Sequence, residues 1–295
     1  MKEQYTLSWV ISKQDEGKLV RAFLKEQQIS KRALTDIKFT GGKIEVNQME
    51  VNVLYRLQTE DVLQLTFPNE KRSDGFEPES IPLNILYEDQ HILVVNKPAY
   101  MNTIPSREHP TGSLANGLLY YYDTLKLAST IHIVTRLDRN TSGLILVAKH
   151  RHVHFLLSKL QQAGKVNRRY EALVNGNFTE MKGCIEAPIG RKETSIIERE
   201  VRADGQYAKT SYKVITQYPK FAHISLKLHT GRTHQIRVHM KHTGHSLLGD
   251  DLYHGNMEVI KRQALHSKEL SFYHPFLKKV VSFSAPLPAD MASIM

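Results

Sequence analysis

The sequence predicts an α+β fold in two parts: a small α+β unit, then a large domain built on antiparallel or mixed sheet. Three observations predict it. The chain has 295 residues, a length that suits two domains. Residues 69–80 (NEKRSDGFEPES) are polar, contain glycine and proline, lack any apolar period and read as a linker. Beyond them, apolar runs of strand length outnumber helical patterns. The expected partition is a small domain over 1–75, a linker over 76–82 and a large domain over 83–295, with the boundary near residue 80.

Composition bounds the rest. Hydrophobic residues make up 41% and charged residues 24%, enough for a packed core and incompatible with a wholly disordered chain. The longest apolar stretches, residues 92–95 and 143–148, are strand-sized, so no transmembrane helix is expected. The first 17 residues lack the long apolar region of a signal peptide, and a cytoplasmic protein is expected. One cysteine, Cys184, excludes an internal disulfide framework and a multi-cysteine zinc site. A net charge of +10 points toward a polyanion, with nucleic acid first. That excess is uneven: residues 1–75 carry 12 Lys and Arg against 11 Asp and Glu, and the remainder carries 28 against 19.

Residues 15–67 form the small unit. Leu19, Val20, Phe23 and Leu24 recur at helical spacing, and Ser30 can cap a second short helix carrying Ala33, Leu34 and Ile37 on one face. Gly41-Gly42 ends it. Ile44 and Val46 alternate with polar residues, Asn47-Gln48 makes a turn, Val51 and Val53 resume the alternation, and Val62, Leu63, Leu65 and Phe67 supply a last strand. Lys31-Arg32 at the start of the second helix suits RNA.

In the large domain, residues 85–87 and 92–96 flank the turn Glu88-Asp89-Gln90 as a hairpin. Residues 144–148 are a strongly apolar strand. Residues 152–162 are the clearest helix, with Val153, Leu156, Leu157 and Leu160 on one face. Residues 170–174, 210–215, 222–228 and 280–283 are further strands.

Three segments can carry chemistry. In the first, residues 132–149, a polar turn from Arg136 to Gly143 runs into the apolar strand. Asp138 lies between Arg136 and Arg139, which favour its ionised form, and an ionised Asp can serve as nucleophile or general base. An Asp in a turn also commonly bonds nearby backbone N–H groups. The second, residues 228–250 with the adjoining Lys227, gathers that lysine, Arg232, Arg237 and Lys241 with five histidines. Thr233 can cap a helix over 234–241, and the cluster reads as a phosphate-facing surface. A metal site is not expected there, because the histidine spacings fall on no single helical face. In the third, Tyr170 opens a strand after Arg168-Arg169, a pattern that can stack a base while cations hold its phosphates, or simply place an aromatic in the core.

These segments together resemble the RluA-like pseudouridine synthases. Arg136-Leu-Asp-x-x-Thr-Ser-Gly-Leu followed by an apolar strand resembles the active-site motif of that family. Residues 168–176 (RRYEALVNG), 208–210 (AKT), 228–239 (LHTGRTHQIRVH) and 248–253 (LGDDLY) resemble later motifs in order, and Leu265-His266 and His274-Pro275 resemble the closing strand elements. Residues 15–67 resemble the ribosomal-protein-S-four-type RNA-binding domain often fused upstream. There are departures: Thr135 stands where many members have His, Arg168 where many have Lys, and Asn47-Gln48 replaces an Asn-Gly turn.

The resemblance implies isomerisation of uridine to pseudouridine in RNA, ribosomal RNA ahead of transfer RNA, by a monomer with no cofactor, metal or membrane. It implies Asp138 as the reacting carboxylate, Arg237 as its ion-pair partner, and Tyr170 stacked on the uracil and assisting at C5. Arg136, Arg139, Arg232, His234 and Gln235 are candidate RNA contacts. The alternative is a non-catalytic RNA-binding ribosome-assembly factor of the same fold, which loss of Asp138 or Tyr170 would mark; both are present. A hydrolytic glycosidase wants two carboxylates, and the motif offers one, with Asp250 far off in sequence. A nuclease wants a metal cluster of acids, which the sequence does not display.

Overall fold

The structure is a computed structural model and describes residues 3–72 and 77–295. Residues 73–76, within the expected linker, lie outside the described residues. The small unit contains β1 (Thr6–Val10), α1 (Val20–Glu26), α2 (Lys31–Phe39), β2 (Lys43–Val46), β3 (Met49–Glu50) and β4 (Val62–Thr66). Its antiparallel sheet runs β1-β4-β2-β3. Val20, Phe23 and Leu24 of α1 and Ile37 of α2 pack on Ile44, Val46, Leu63 and Leu65 of the sheet. Ser30 Oγ accepts the Ala33 N–H at 3.1 Å, so the cap read from sequence forms.

Two features depart from the expectation. The sheet begins at Thr6, where Leu7 is buried, well before residue 15. The alternation after the Asn47-Gln48 turn stops at Glu50. One more rung follows, from the Val51 N–H to the Ile44 carbonyl, and the chain then turns to α1, whose first turn lacks a side-chain cap: the Val53 and Tyr55 carbonyls accept the N–H groups of Arg21 and Val20. Asn47 and Gln48 both have positive φ, 52° and 68°. Asn tolerates that region, and its amide is tied to Asp61 and Val62; Gln48 occupies it without glycine's freedom.

The large part contains β5 (Ile85–Glu88), β6 (Ile92–Lys97), α3 (Leu114–Thr124), β7 (His132–Ile133), β8 (Ser142–Ala148), α4 (Arg151–Gln162), β9 (Val166–Asn175), β10 (Lys182–Glu186), β11 (Ile189–Arg191), β12 (Arg199–Val201), β13 (Lys209–Gln217), β14 (Phe221–Leu228), α5 (Gln235–His242), β15 (Leu265–His274), β16 (Lys279–Ser284) and α6 (Ala289–Ala292). The main sheet runs β10-β13-β14-β9-β15-β8-β6-β5, with β16 beside β15 and β7 beside β8. This is the mixed α+β architecture the sequence predicts.

Every residue of β8 is buried because both faces are covered. Ile145 and Val147 meet Leu114, Leu118 and Tyr122 of α3; Leu144, Leu146 and Ala148 share the other core with Val153 and Leu157 of α4. The pairing of β15 with β8 is parallel and sets Ser142 and Gly143 against His266 and Ser267. Gly143 has φ 113°, and a Cβ there would lie 2.3 Å from the Ser267 carbonyl oxygen. The motif glycine is therefore demanded by a close approach of two backbones.

The polar stretch after β4 is bound to the large part. Glu70 donates its N–H to the Ala128 carbonyl and accepts the Arg151 N–H at 2.8 Å, and Arg72 makes two 2.8 Å bonds to Asp123. The seam is rich in histidine. Tyr5 stacks on His150 at 3.7 Å and bonds His91 Nδ1 at 2.8 Å, while Phe67 stacks on His152.

Burial lowers the pKa of His91 and His152 to about 4 and that of His150 to about 3. The fold thus selects neutral rings, whereas the unfolded chain takes up protons near pH 6.5. Their contribution is present above pH 6.5 and is lost as pH falls through the folded values. The melting temperature should drop between pH 6.5 and 4, with more than one proton taken up on unfolding. Calorimetry across that window checks it, and a flat profile would contradict it.

Candidate active site

The polar turn before β8 is held by side chains from distant parts of the chain. Thr103 Oγ1 donates to the Leu137 carbonyl at 2.7 Å. Lys97 Nζ donates to the Arg139 carbonyl at 3.2 Å and to those of Pro98 and Met101 at 2.8 Å. Arg262 Nη1 donates to the Asn140 carbonyl at 3.1 Å, and Gln263 Nε2 to Thr141 Oγ1 at 3.2 Å. Lys97 is fully buried, which lowers its pKa to about 7, and Arg262 is 1% exposed and paired with Asp290. Thr135, at the position of a common family histidine, donates no base to the site; its hydroxyl accepts the Leu146 N–H.

The turn presents Asp138 to a cleft lined also by Arg136, Arg168, Tyr170, Arg232, His234, Gln235 and Arg237. Arg237 Nη1 donates to Asp138 Oδ2 at 3.3 Å, and His234 Nε2 lies 3.9 Å from the same oxygen. The guanidinium facing Asp138 thus comes from α5, not from the flanking Arg136 and Arg139. Arg136 is exposed at the cleft, and Arg139 is exposed outside its lining. Tyr170 is 4% exposed; burial raises its pKa, opposed by Arg168 and by a hydrogen bond with Ser267. Its phenol is held in the protonated form.

Arg237 is held from behind by Asp250, a residue given no role by sequence reasoning. Nε and Nη2 donate to the two Asp250 oxygens at 2.8 Å each, and Asp250 is fully buried. Burial opposes the charge on Arg237, but Asp250 and then Asp138 outweigh it and raise its pKa. Asp250 is near Asp138 in space, yet both its oxygens are spent on Arg237 and Oδ1 also accepts the Tyr253 N–H. It is not a second free acid of the glycosidase kind.

The helix α5 corrects the picture of a phosphate-facing surface. Residues 235–240 are all buried, Arg237 points inward, and Lys241 lies over the Tyr253 ring. The N-cap is His234, not Thr233. Gln235 is 2% exposed, and its amide is engaged by Thr230, Arg232 N–H, Lys209 and Thr210. Gln235 lines the cleft, and its amide shapes the 230–233 loop. His239 bonds Thr210 and the Ala187 carbonyl, and His245 bonds the Asn175 carbonyl, so the histidines disperse into separate structural roles. Among the described residues no group of three His, Cys, Asp or Glu side chains is placed to hold a metal ion, and no helix is long and apolar enough to cross a membrane.

Comparison with known proteins identifies the family. The family model for RNA pseudouridylate synthase matches residues 91–242. The uncharacterized RNA pseudouridine synthase YjbO of Bacillus subtilis is 51% identical over 276 residues, covering 94% of this chain and 98% of that relative. Ribosomal large subunit pseudouridine synthase D of Haemophilus influenzae is 39% identical over 75% of this chain and 72% of its own. Among solved structures, human RNA pseudouridylate synthase domain containing 1 superposes with a TM-score of 0.60 at 25% identity, over 71% of this chain and 86% of that one. The chain belongs to the RNA pseudouridylate synthase family, the isomerases that convert uridine within RNA to pseudouridine.

Proposed function

We propose that Asp138 is the reacting carboxylate of this isomerase and that its substrate is ribosomal RNA. The carrying observation is the Asp138 carboxylate at the cleft, paired with the buried Arg237 and facing a cavity lined by Tyr170. The reaction breaks the N1–C1′ bond, turns the uracil and joins C5 to C1′; C5 loses a proton and N1 gains one, with no net oxidation. The base leaves its stack to reach the cleft. Asp138 meets C1′ or C6, Arg237 pairs with it and orients it, and Tyr170 stacks on the uracil with its hydroxyl assisting at C5. Arg136, Arg139, Arg232 and His234 are the proposed RNA contacts. The name of the Haemophilus influenzae relative supports the ribosomal large subunit as the target.

The small unit is proposed to be a ribosomal-protein-S-four-type domain that aids RNA capture, supported by its two helices packed on a four-stranded sheet and by Lys31-Arg32 opening α2. Purified protein should release tritium from 5-tritiated uridine in ribosomal RNA, and the modified position should vanish from cells lacking the gene. Tyr170→Phe should bind RNA normally, since the ring is kept, and release tritium at least about tenfold more slowly. Normal release would leave stacking as its role; absence of any release by the unaltered protein would sink the reading.

A further inference from the structure

His234 has a left-handed backbone, φ 55° and ψ 20°, at the N-cap of α5, where it makes no side-chain cap. Such a conformation is uncommon for a residue other than glycine. Here it aims the imidazole into the cleft, with Nδ1 2.8 Å from the Tyr253 hydroxyl and Nε2 3.9 Å from Asp138 Oδ2. The Tyr253 oxygen already accepts the Arg199 N–H at 2.9 Å. Donation of its one proton to Nδ1 then uses the hydroxyl as both acceptor and donor, an arrangement in which Nδ1 accepts and the imidazole proton sits on Nε2. Burial lowers the pKa of His234; Asp138 and Asp250 oppose that, while Arg237 and Arg199 add to it, and the ring stays neutral. Burial pushes the Tyr253 hydroxyl up to about 12, so it keeps the proton it donates.

We propose that Tyr253 and His234 are positioning residues for Asp138: Tyr253 fixes His234 as the Nε2–H tautomer, and that N–H joins Arg237 in holding Oδ2, leaving Oδ1 as the oxygen presented to uridine. The inference rests on Asp138 being the reacting carboxylate. Among the described residues the two cationic or N–H side chains within 4 Å of the carboxylate lie on Oδ2, and Oδ1 has no hydrogen-bond or ion-pair partner. The opposite tautomer would turn a nitrogen lone pair toward the carboxylate, which is repulsive. At 3.9 Å the N–H is an electrostatic neighbour, and separations of this kind tighten when substrate is bound. Through Arg199 the network also ties the start of β12 to the site.

Long-range proton–nitrogen NMR of histidine-labelled protein reads the tautomer directly. His234 should be Nε2–H at neutral pH, and Tyr253→Phe should mix in the Nδ1–H form. In turnover, Tyr253→Phe should lower kcat about tenfold with KM for RNA within about twofold. His234→Gln, whose amide offers an N–H in place of Nε2, should retain more kcat than His234→Leu. Circular dichroism establishes that each variant is folded at the assay temperature. An Nδ1–H or doubly protonated His234 in the unaltered protein, an unchanged kcat in Tyr253→Phe, or equal kcat for the Gln and Leu variants would overturn the proposal. The NMR signature needs no turnover, so its failure is separable from a failure of the Asp138 assignment.

Discussion

Asp138→Asn should bind RNA within about threefold of the unaltered protein and form pseudouridine at least about 10³-fold more slowly. Asn keeps the shape of the side chain, and its oxygen can still accept from Arg237 Nη1, which lies 3.3 Å from Oδ2. It lacks the anionic charge that attack at C1′ or C6 requires. The turn itself should not move, because Thr103, Lys97, Arg262 and Gln263 grip groups of residues 137, 139, 140 and 141 and none uses the carboxylate. Tritium release and filter binding, measured on one preparation, check both halves. Near-normal turnover would remove Asp138 from the chemistry.

Arg237→Met should cost stability as well as activity. The substitution strands the fully buried Asp250 carboxylate without its two 2.8 Å bonds, and breaking one side of a buried pair costs roughly 3–5 kcal/mol. The double variant Arg237→Met with Asp250→Leu removes both charges, so most of that stability should return, since a buried pair and a well-packed apolar replacement are often near equal. Turnover should not return, because Asp138 still lacks its guanidinium. Urea unfolding followed beside tritium release separates the two effects. A double variant that regained both would assign Arg237 to the fold alone.

The legible parts of the structure are those whose cause lies within a few residues along the chain. The Ser30 cap, the stripe of α4 and the hairpin of β5 and β6 follow from spacing, and each forms. The helix α3 escaped because it shows no stripe: residues 114–119 are buried all round, with Gly117 in their midst packed on Leu83 and Ile81. The local signal that could have found it was Ser113 followed by Asn116, which forms a reciprocal cap. Likewise α5 carries charges that suggest a wet face, yet Arg237 is satisfied inside by Asp250.

The sequence by itself determined the class of fold, the order of the motifs and the residues from which the cleft is made: Asp138, Tyr170, Arg232, His234 and Arg237 all line one cavity. Only the tertiary structure decided what each faces. Asp138 and Arg237 are 99 residues apart, and the parallel register of β15 on β8 packs the β8 turn against the strand that follows Arg262 and Gln263. Periodicity and caps report forces between neighbours in the chain, so they are written locally. The partner of a buried charge is chosen by which strands pair and which helix covers them, so Arg237 turns to Asp250 and Asp138 while Gln235 and His239 turn to Thr210.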